Sequence, residues 1–294
     1  MRELKILAVV VALTLITYWG VEPFAHSQMH PHVAPADFKF EDVQKDVADV
    51  TSLEGNATAG EALVTANCTA CHSIKSKGFP EIMDNASSAA AYGVTPPDLG
   101  SAGKLYDAAY LAAFIKNPAK ASDVSHKFVD GRAHPMPGYD WMQPQEIADM
   151  VAYLKSIAPE EMSNKEVFTD ACQRCHSIKY ADMQKGTMAA FTPDENIKAY
   201  MGKLPPDLSQ YIKSRGHEYL ETFINLPQKH LEGTAMPRVG LTEESQEQVV
   251  TYLEEIGDPS KEARSELGPK FLIYMVIFAI FAFLWKNSKW REVH

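Results

Sequence analysis

Cys68-Thr69-Ala70-Cys71-His72 and Cys172-Gln173-Arg174-Cys175-His176 decide the reading of this 294-residue chain, because between them they use all four of its cysteines. In each stretch two thiols stand about one helical turn apart and an imidazole follows at once. That spacing lets each thiol form a thioether with one vinyl group of a haem while the next residue sets its ring beneath the iron, so CxxCH reads as a c-type haem attachment motif. A zinc site is the first alternative, but the two pairs lie far apart in sequence and each carries the additional histidine. A thioredoxin-like redox motif needs a βαβ setting that the surrounding residues do not display. No cysteine is left over for a disulfide.

Working outward, both motifs open the same series of signals. Pro-Pro-Asp-Leu follows at 96–99 and at 205–208, and Tyr-Leu-x-x-Phe-Ile comes at equal spacing at 110–115 and 219–224, closed by Pro118 and Pro227. Then come Met136-Pro137 and Met236-Pro237, and last an apolar-periodic segment with Tyr-Leu near its end, Ile147 to Ile157 and Val249 to Ile256. Self-similarity in a fixed order signals duplication. Apolar residues recur at three and four spacing (Ile147, Met150, Val151, Leu154) and no stretch alternates like a strand, so the expected class is mainly α.

A haem suited to electron transfer takes histidine and methionine as axial ligands, the thioether raising the potential. Of twelve methionines only Met136 and Met236 precede proline, and they occupy matching places in the repeat. Proline stiffens a loop that must hold a sulfur against iron. Met142 competes with Met136 because it shares the loop, whereas Met83, Met150, Met183, Met188 and Met201 read as core filler. His126, His134, His217 and His230 are weaker second-ligand candidates. The expected axial pairs are therefore His72 with Met136 and His176 with Met236, the covalent pairs Cys68 with Cys71 and Cys172 with Cys175, and the cofactors two haem c.

Each end carries an apolar segment. Ile6 to Val21 is uncharged, preceded by Arg2 and Lys5, and the clean small-residue cleavage pattern, Ala34-Pro35-Ala36, lies far downstream; an uncleaved signal anchor is expected over a removed signal peptide. Phe271 to Trp285 is uncharged between Lys270 and Lys286, short for a span that needs about 17 to 25 residues, but its flanking lysines can snorkel and Leu267, Gly268 and Pro269 add apolar length. Basic residues at both ends place both termini in the cytoplasm, with residues from about 25 to 268 on the other side, where haem c is attached.

Composition agrees. With 46% hydrophobic and 22% charged residues the chain is neither disordered nor a disulfide miniprotein, and a net charge of −10 argues against nucleic-acid binding. Acidic residues from Glu243 to Glu266 read equally as a steering surface for a basic partner and as a solvated helix face. His30 and His32 read as a polar linker before a metal pair, and Ser87 to Tyr92 as a surface insertion.

Each half resembles a class I cytochrome c, on its opening helix running into CxxCH, its Pro-x-Leu segment, its Met-Pro loop and its closing helix. The resemblance implies two tandem class I cytochrome c domains flanked by N- and C-terminal transmembrane helices: an anchor over 1–24, a linker over 25–50, domains over 51–160 and 161–262, and a second anchor over 263–294. It implies that the carbonyls of Pro97 and Pro206 accept a hydrogen bond from the axial histidines, and that Leu99 and Leu208 pack on the haems. Gly60 matches the small residue at the crossing of first and last helices, against Tyr153; the second half has Asn164 or Lys165 there, so its crossing is expected to differ.

Residues 160–294 are similar, more narrowly, to cytochrome c1 of the quinol:cytochrome c reductase (cytochrome bc1) complex. The likeness rests on Glu166-Val167-Phe168 before Cys172, His176-Ser177-Ile178-Lys179-Tyr180, Leu204-Pro205-Pro206-Asp207-Leu208-Ser209, Arg215, Tyr219, and Gly268-x-Lys270 before a single apolar helix and Lys289-Trp290. By that resemblance Arg215 binds a haem propionate. A second haem is the departure, and the chain looks like the dihaem version found in some bacterial bc1 complexes. The resemblance implies a non-catalytic electron-transfer subunit in a bacterial inner membrane, its haem domains periplasmic. It would sit with cytochrome b and the Rieske iron-sulfur protein in a dimeric complex and pass electrons to a cytochrome c or an oxidase. The alternatives are a subunit of a cbb3-type oxidase and a free-standing anchored carrier.

Overall fold

The computed structural model describes residues 2–29, 33–129, 133–186 and 192–293. His30, His32 and Met188 lie outside the described residues. Two helices, α1 (Arg2–Ile16) and α2 (Glu22–Met29), run together through a π-helical turn at Thr17–Val21. The first half follows with α3 (Glu41–Asp46), α4 (Ala48–Thr51), α5 (Ala57–Asn67), α6 (Asn85–Tyr92), α7 (Ala102–Leu105), α8 (Ala108–Lys116), α9 (Pro118–Ala121) and α10 (Pro144–Ile157). The second half has α11 (Asn164–Ala171), α12 (Asp194–Met201), α13 (Tyr211–Arg215), α14 (His217–Asn225), α15 (Pro227–His230) and α16 (Glu243–Gly257), and α17 (Lys261–Val293) closes the chain. Among the described residues β structure is limited to isolated bridges, as the mainly α expectation requires.

Local chemistry sets these boundaries. Asn56 Oδ1 accepts from the amides of Thr58 and Ala59 and starts α5, Asp107 Oδ1 does the same for Ala109 and Tyr110 at α8, and Ser163 with Glu166 forms a capping box at α11. Each half then crosses its first helix over its last. In the first, α5 lies so close to α10 that a Cβ on Gly60 would fall 2.0 Å from the carbonyl oxygen of Asp149 and 2.8 Å from Tyr153 Cβ. Val64, Ile147 and Met150 fill the crossing. In the second, α11 packs on α16 through Val167, Phe168, Val249 and Val250, and Asn164 reaches Glu255 by a 2.9 Å hydrogen bond at the periphery.

Several expectations need correction. Residues 40–50, read as linker, form α3 and α4 and bury Phe40, Val43, Val47 and Val50 in the first core; their apolar positions follow helical spacing, but the stretch is short and acidic enough to hide it. The Ser87–Tyr92 insertion is only partly a surface feature: Ser87, Ala90 and Ala91 are exposed, but α6 buries Ser88 and Ala89 and packs against α12 of the other half, where Gly93, at φ +81°, lies against Tyr200. Met150 and Met183 are buried as core filler, whereas Met83 is 42% exposed on the loop ahead of α6.

The halves share a seam. Leu105, from the first half, is 1% exposed in the core of the second, Tyr106 bridges to Leu241, and Ser101 Oγ donates to Asp170 at 2.6 Å. Lys104 adds an ion pair to Glu244. Outside this body, Leu4–Met29 and Lys261–Arg291 are helices of mean hydropathy 2.0 and 2.1 with no part of their apolar windows buried. Both are long and apolar enough to cross a membrane; α17 runs helically through Pro269 and past Lys286, which supplies the length that Phe271–Trp285 lacks alone.

Gly60→Ala should lower the unfolding free energy by about 2–3 kcal/mol, since neither a backbone carbonyl nor the Tyr153 Cβ can give way. Asn164→Ala should cost under about 1 kcal/mol. Denaturant unfolding followed by haem absorbance checks both.

Candidate functional site

The first CxxCH forms as α5 ends. The amides of Cys71 and His72 both donate to the carbonyl of Cys68, at 3.1 and 2.9 Å, wrapping the motif into one turn with both thiols free of any disulfide. His72 Nδ1 lies 2.8 Å from the carbonyl oxygen of Pro97. Because that oxygen can only accept, Nδ1 carries the proton and Nε2 keeps its lone pair. Burial lowers the pKa of His72, the Pro97 contact opposes this, and the charge of Arg174 adds to the lowering, so the ring is neutral at neutral pH.

The proline is itself held in place. Leu99 N donates to Ser73 O at 2.9 Å, while Asp98 accepts from Ser73 Oγ at 2.7 Å and from the amides of Lys75 and Gly100 at 3.0 and 2.8 Å. The second half repeats the clamp. His176 Nδ1 is 2.8 Å from Pro206 O, Leu208 N donates to Ser177 O at 2.9 Å, and Asp207 accepts from Ser177 Oγ and from the amides of Lys179 and Ser209. Burial lowers the His176 pKa as it does that of His72. Burial raises Asp207 but its hydrogen bonds from Ser209, Ser177 and Lys179 outweigh it, leaving the carboxylate below its ordinary range.

The sequence reading had Pro97, Pro206, Leu99 and Leu208 but missed the residues that fix them: Ser73, Asp98, Ser177 and Asp207. A signal was available, since His-Ser-Ile-Lys recurs at 72–75 and 176–179 and the aspartate recurs inside Pro-Pro-Asp-Leu. Leu99 and Leu208 are half-buried against the first and second cores. Arg215 is exposed at the end of α13 with its guanidinium carbon 5.4 Å from the centroid of the Tyr219 ring.

Both Met-Pro loops border their own half. Met136 is half-buried, its amide donating to His134 Nδ1, and Tyr139 fixes the same loop by donating its amide to Ile115 O and its hydroxyl to Asn67 O at 2.8 Å. Met142, its competitor, is 6% exposed within the first core. Met236 packs against the second core, with its amide on Thr234 Oγ1. His134 stands edge-on to Phe128 and Phe114, His230 packs beside Tyr219 and Phe223, His217 pairs with Glu221 and Glu247 at the surface, and His126 is exposed.

The donor set suits haem c. Burial, and then the neighbouring thiol, pushes the Cys68 and Cys172 thiols up to about 12, so each stays a neutral sulfur of the kind a thioether replaces without cost in charge. Both histidines turn Nε2 away from their clamps. Arg174, between the two cysteines of the second motif, has a buried Nε without a protein partner, and its charge reaches both His72 and Tyr106 of the first half.

The family match agrees with the duplicated motifs. The cytochrome c family matches twice, over residues 57–158 and 164–257. A curated protein named "Cytochrome c-553-like" from Synechocystis sp. is 28% identical over 125 residues, covering 42% of this chain and 91% of that protein. A chain from a solved structure titled "Hyperthermophilic respiratory Complex III" aligns over 100% of both chains at 17% identity, with a TM-score of 0.33.

Asp98→Ala and Asp207→Ala should each destabilise their own half by about 2–4 kcal/mol, the loss of charge-assisted hydrogen bonds that leaves two amides and a hydroxyl unpartnered. Each should broaden the spectrum of its own haem only, read by low-temperature absorption.

Proposed function

The chain belongs to the cytochrome c family and carries two covalently bound haem c, and from that premise we propose that it is a membrane-anchored dihaem electron carrier of the cytochrome c1 type. In this reading it accepts electrons from the Rieske iron-sulfur protein of a quinol:cytochrome c reductase and delivers them to a cytochrome c or an oxidase. The duplicated histidine clamp is the observation that carries the electron-transfer part. When bound, each haem supplies an iron that cycles between ferric and ferrous states.

The protein's own residues do the rest. Cys68 with Cys71 and Cys172 with Cys175 would hold the two haems, and the Pro97 and Pro206 carbonyls orient His72 and His176 so that Nε2 would be available to iron. Met136 and Met236 would supply the second ligand of each iron, a donor set that would leave no place for a substrate and suit electron passage over bond-making chemistry. Arg215 is assigned to a haem propionate. The domain limits proposed are 51–160 and 161–262, with α3 and α4 added to the first.

Membrane attachment by α1–α2 and α17 puts the haem domains in the periplasm and both termini in the cytoplasm, by the positive-inside rule. The assignment to a bc1 complex, with cytochrome b and the Rieske protein as partners in a dimer, rests on the cytochrome c1-like segments of residues 160–294 and on the single C-terminal apolar helix that follows them.

A tag on this chain and solubilisation in mild detergent should bring down a b-type cytochrome and a Rieske protein, and intact mass should report two haems. Recovery of a copper-containing oxidase, or of the chain alone, overturns the bc1 assignment; fewer than two haems overturns the dihaem reading. Met136→His and Met236→His should each lower the midpoint potential of one haem and leave the other nearly unchanged, by redox titration.

A further inference from the structure

The two methionine loops are anchored differently. In the first domain, Tyr139 stands three residues after Met136 and ties the loop to its own domain, through Ile115 O and Asn67 O. In the second, Val239 occupies that position and has no hydroxyl to offer. The anchors come instead from across the seam. Arg238 N donates to Ser122 O at 2.8 Å, the buried Tyr110 hydroxyl donates to Arg238 O at 2.7 Å, Asp107 N donates to Gly240 O at 2.9 Å, and Thr242 N donates to Leu105 O at 2.9 Å. Every one of those partners belongs to the first domain.

Side chains reinforce the attachment. Arg238 is 5% exposed, and its Nη1 meets Asp42 Oδ2 at 2.8 Å on α3, the helix that the sequence disguised as linker. Gly240, at φ +71°, lets the loop lie flat on the Tyr110 ring; a Cβ there would fall 2.1 Å from the ring carbons. Within its own domain the loop keeps polar support ahead of the methionine, where Gln228 Nε2 donates to Thr234 O and Met236 N donates to Thr234 Oγ1. The segment that follows Met236-Pro237 is held by the other half.

We infer that the first domain acts as the clamp that keeps the Met236 sulfur on the second iron, with Tyr110, Ser122 and Asp42 as positioning residues, while among the described residues the hydrogen bonds of the Met136 loop stay within its own domain. The inference rests on the assignment of Met236 as axial ligand. It makes the ligation of the second haem conditional on a closed seam, so separation of the domains opens the second iron to exogenous ligands and leaves the first closed.

The test uses the full, detergent-solubilised chain with both haems attached, in a Met136→His background, so that the far-red sulfur-to-iron charge-transfer band reports Met236 alone. Met236→His in that background must abolish the band; if the band persists, the ligand assignment itself is wrong. With that established, Asp42→Asn and Tyr110→Phe should each speed carbon monoxide uptake by the ferrous second haem about tenfold, the effect of weakening one hydrogen bond to a charged or buried partner. Asp42 has a side chain 65% exposed and lies on the first domain, so a merely structural contact there would leave the second haem unmoved. In the chain with native Met136, Tyr139→Phe should do the converse and speed uptake at the first haem only. Uptake unchanged within about twofold in both Asp42→Asn and Tyr110→Phe, or accelerated at the first haem instead, overturns the inference.

Discussion

A hydrogen bond of 2.8 Å from an imidazole Nδ1 to a prolyl carbonyl is the constraint around which both halves of this protein are arranged. It fixes the tautomer, leaves the Nε2 lone pair free to bind a metal and makes that nitrogen more basic. The oxygen itself sits on a loop, so its position must be imposed from elsewhere. The chain does this with an aspartate one residue on, whose carboxylate gathers a serine hydroxyl and two amides from the segment after the histidine and from its own turn. Helix crossings at α5–α10 and α11–α16 then hold the turn that ends in CxxCH, and the core packing serves the geometry of one ring nitrogen.

What the sequence made legible were short-range patterns with strict stereochemistry. CxxCH, Pro-Pro-Asp-Leu and Met-Pro depend on a few adjacent residues, so a copy is visible as a copy. Gly60 was readable through the family resemblance, and the structure supplies the reason: the close approach of α10 leaves no room for a Cβ there. The class followed from periodicity.

The seam was not legible in part because three of its bonds run backbone to backbone. The amides of Asp107, Arg238 and Thr242 and the carbonyls of Leu105, Ser122 and Gly240 carry no side-chain signature of their partners. Leu105 looks like any apolar residue in its own half yet fills the core of the other. The same holds for α3 and for the α6–α12 contact, whose buried serine and alanine have a polar or neutral composition typical of surface. Arg174 was equally hidden, since the variable positions within a CxxCH motif have no fixed meaning and its influence on His72 exists only once the two domains are docked.

A duplicated domain is free to diverge only where its twin can supply what it gives up. Both clamps have kept their serine, aspartate and proline, since the bond each makes is internal and no neighbour could substitute for it. The methionine loops differ: Tyr139 supplies an anchor within the first domain, whereas Val239 has no hydroxyl and the second loop rests on the surface formed by Tyr106, Tyr110 and Ser122. On the inference drawn above, an opened seam would release the second methionine loop and leave the hydrogen bonds of the first in place. A packed seam of this kind, in place of a flexible linker, would hold the spacing of two bound haems fixed, which is what successive electron transfers require.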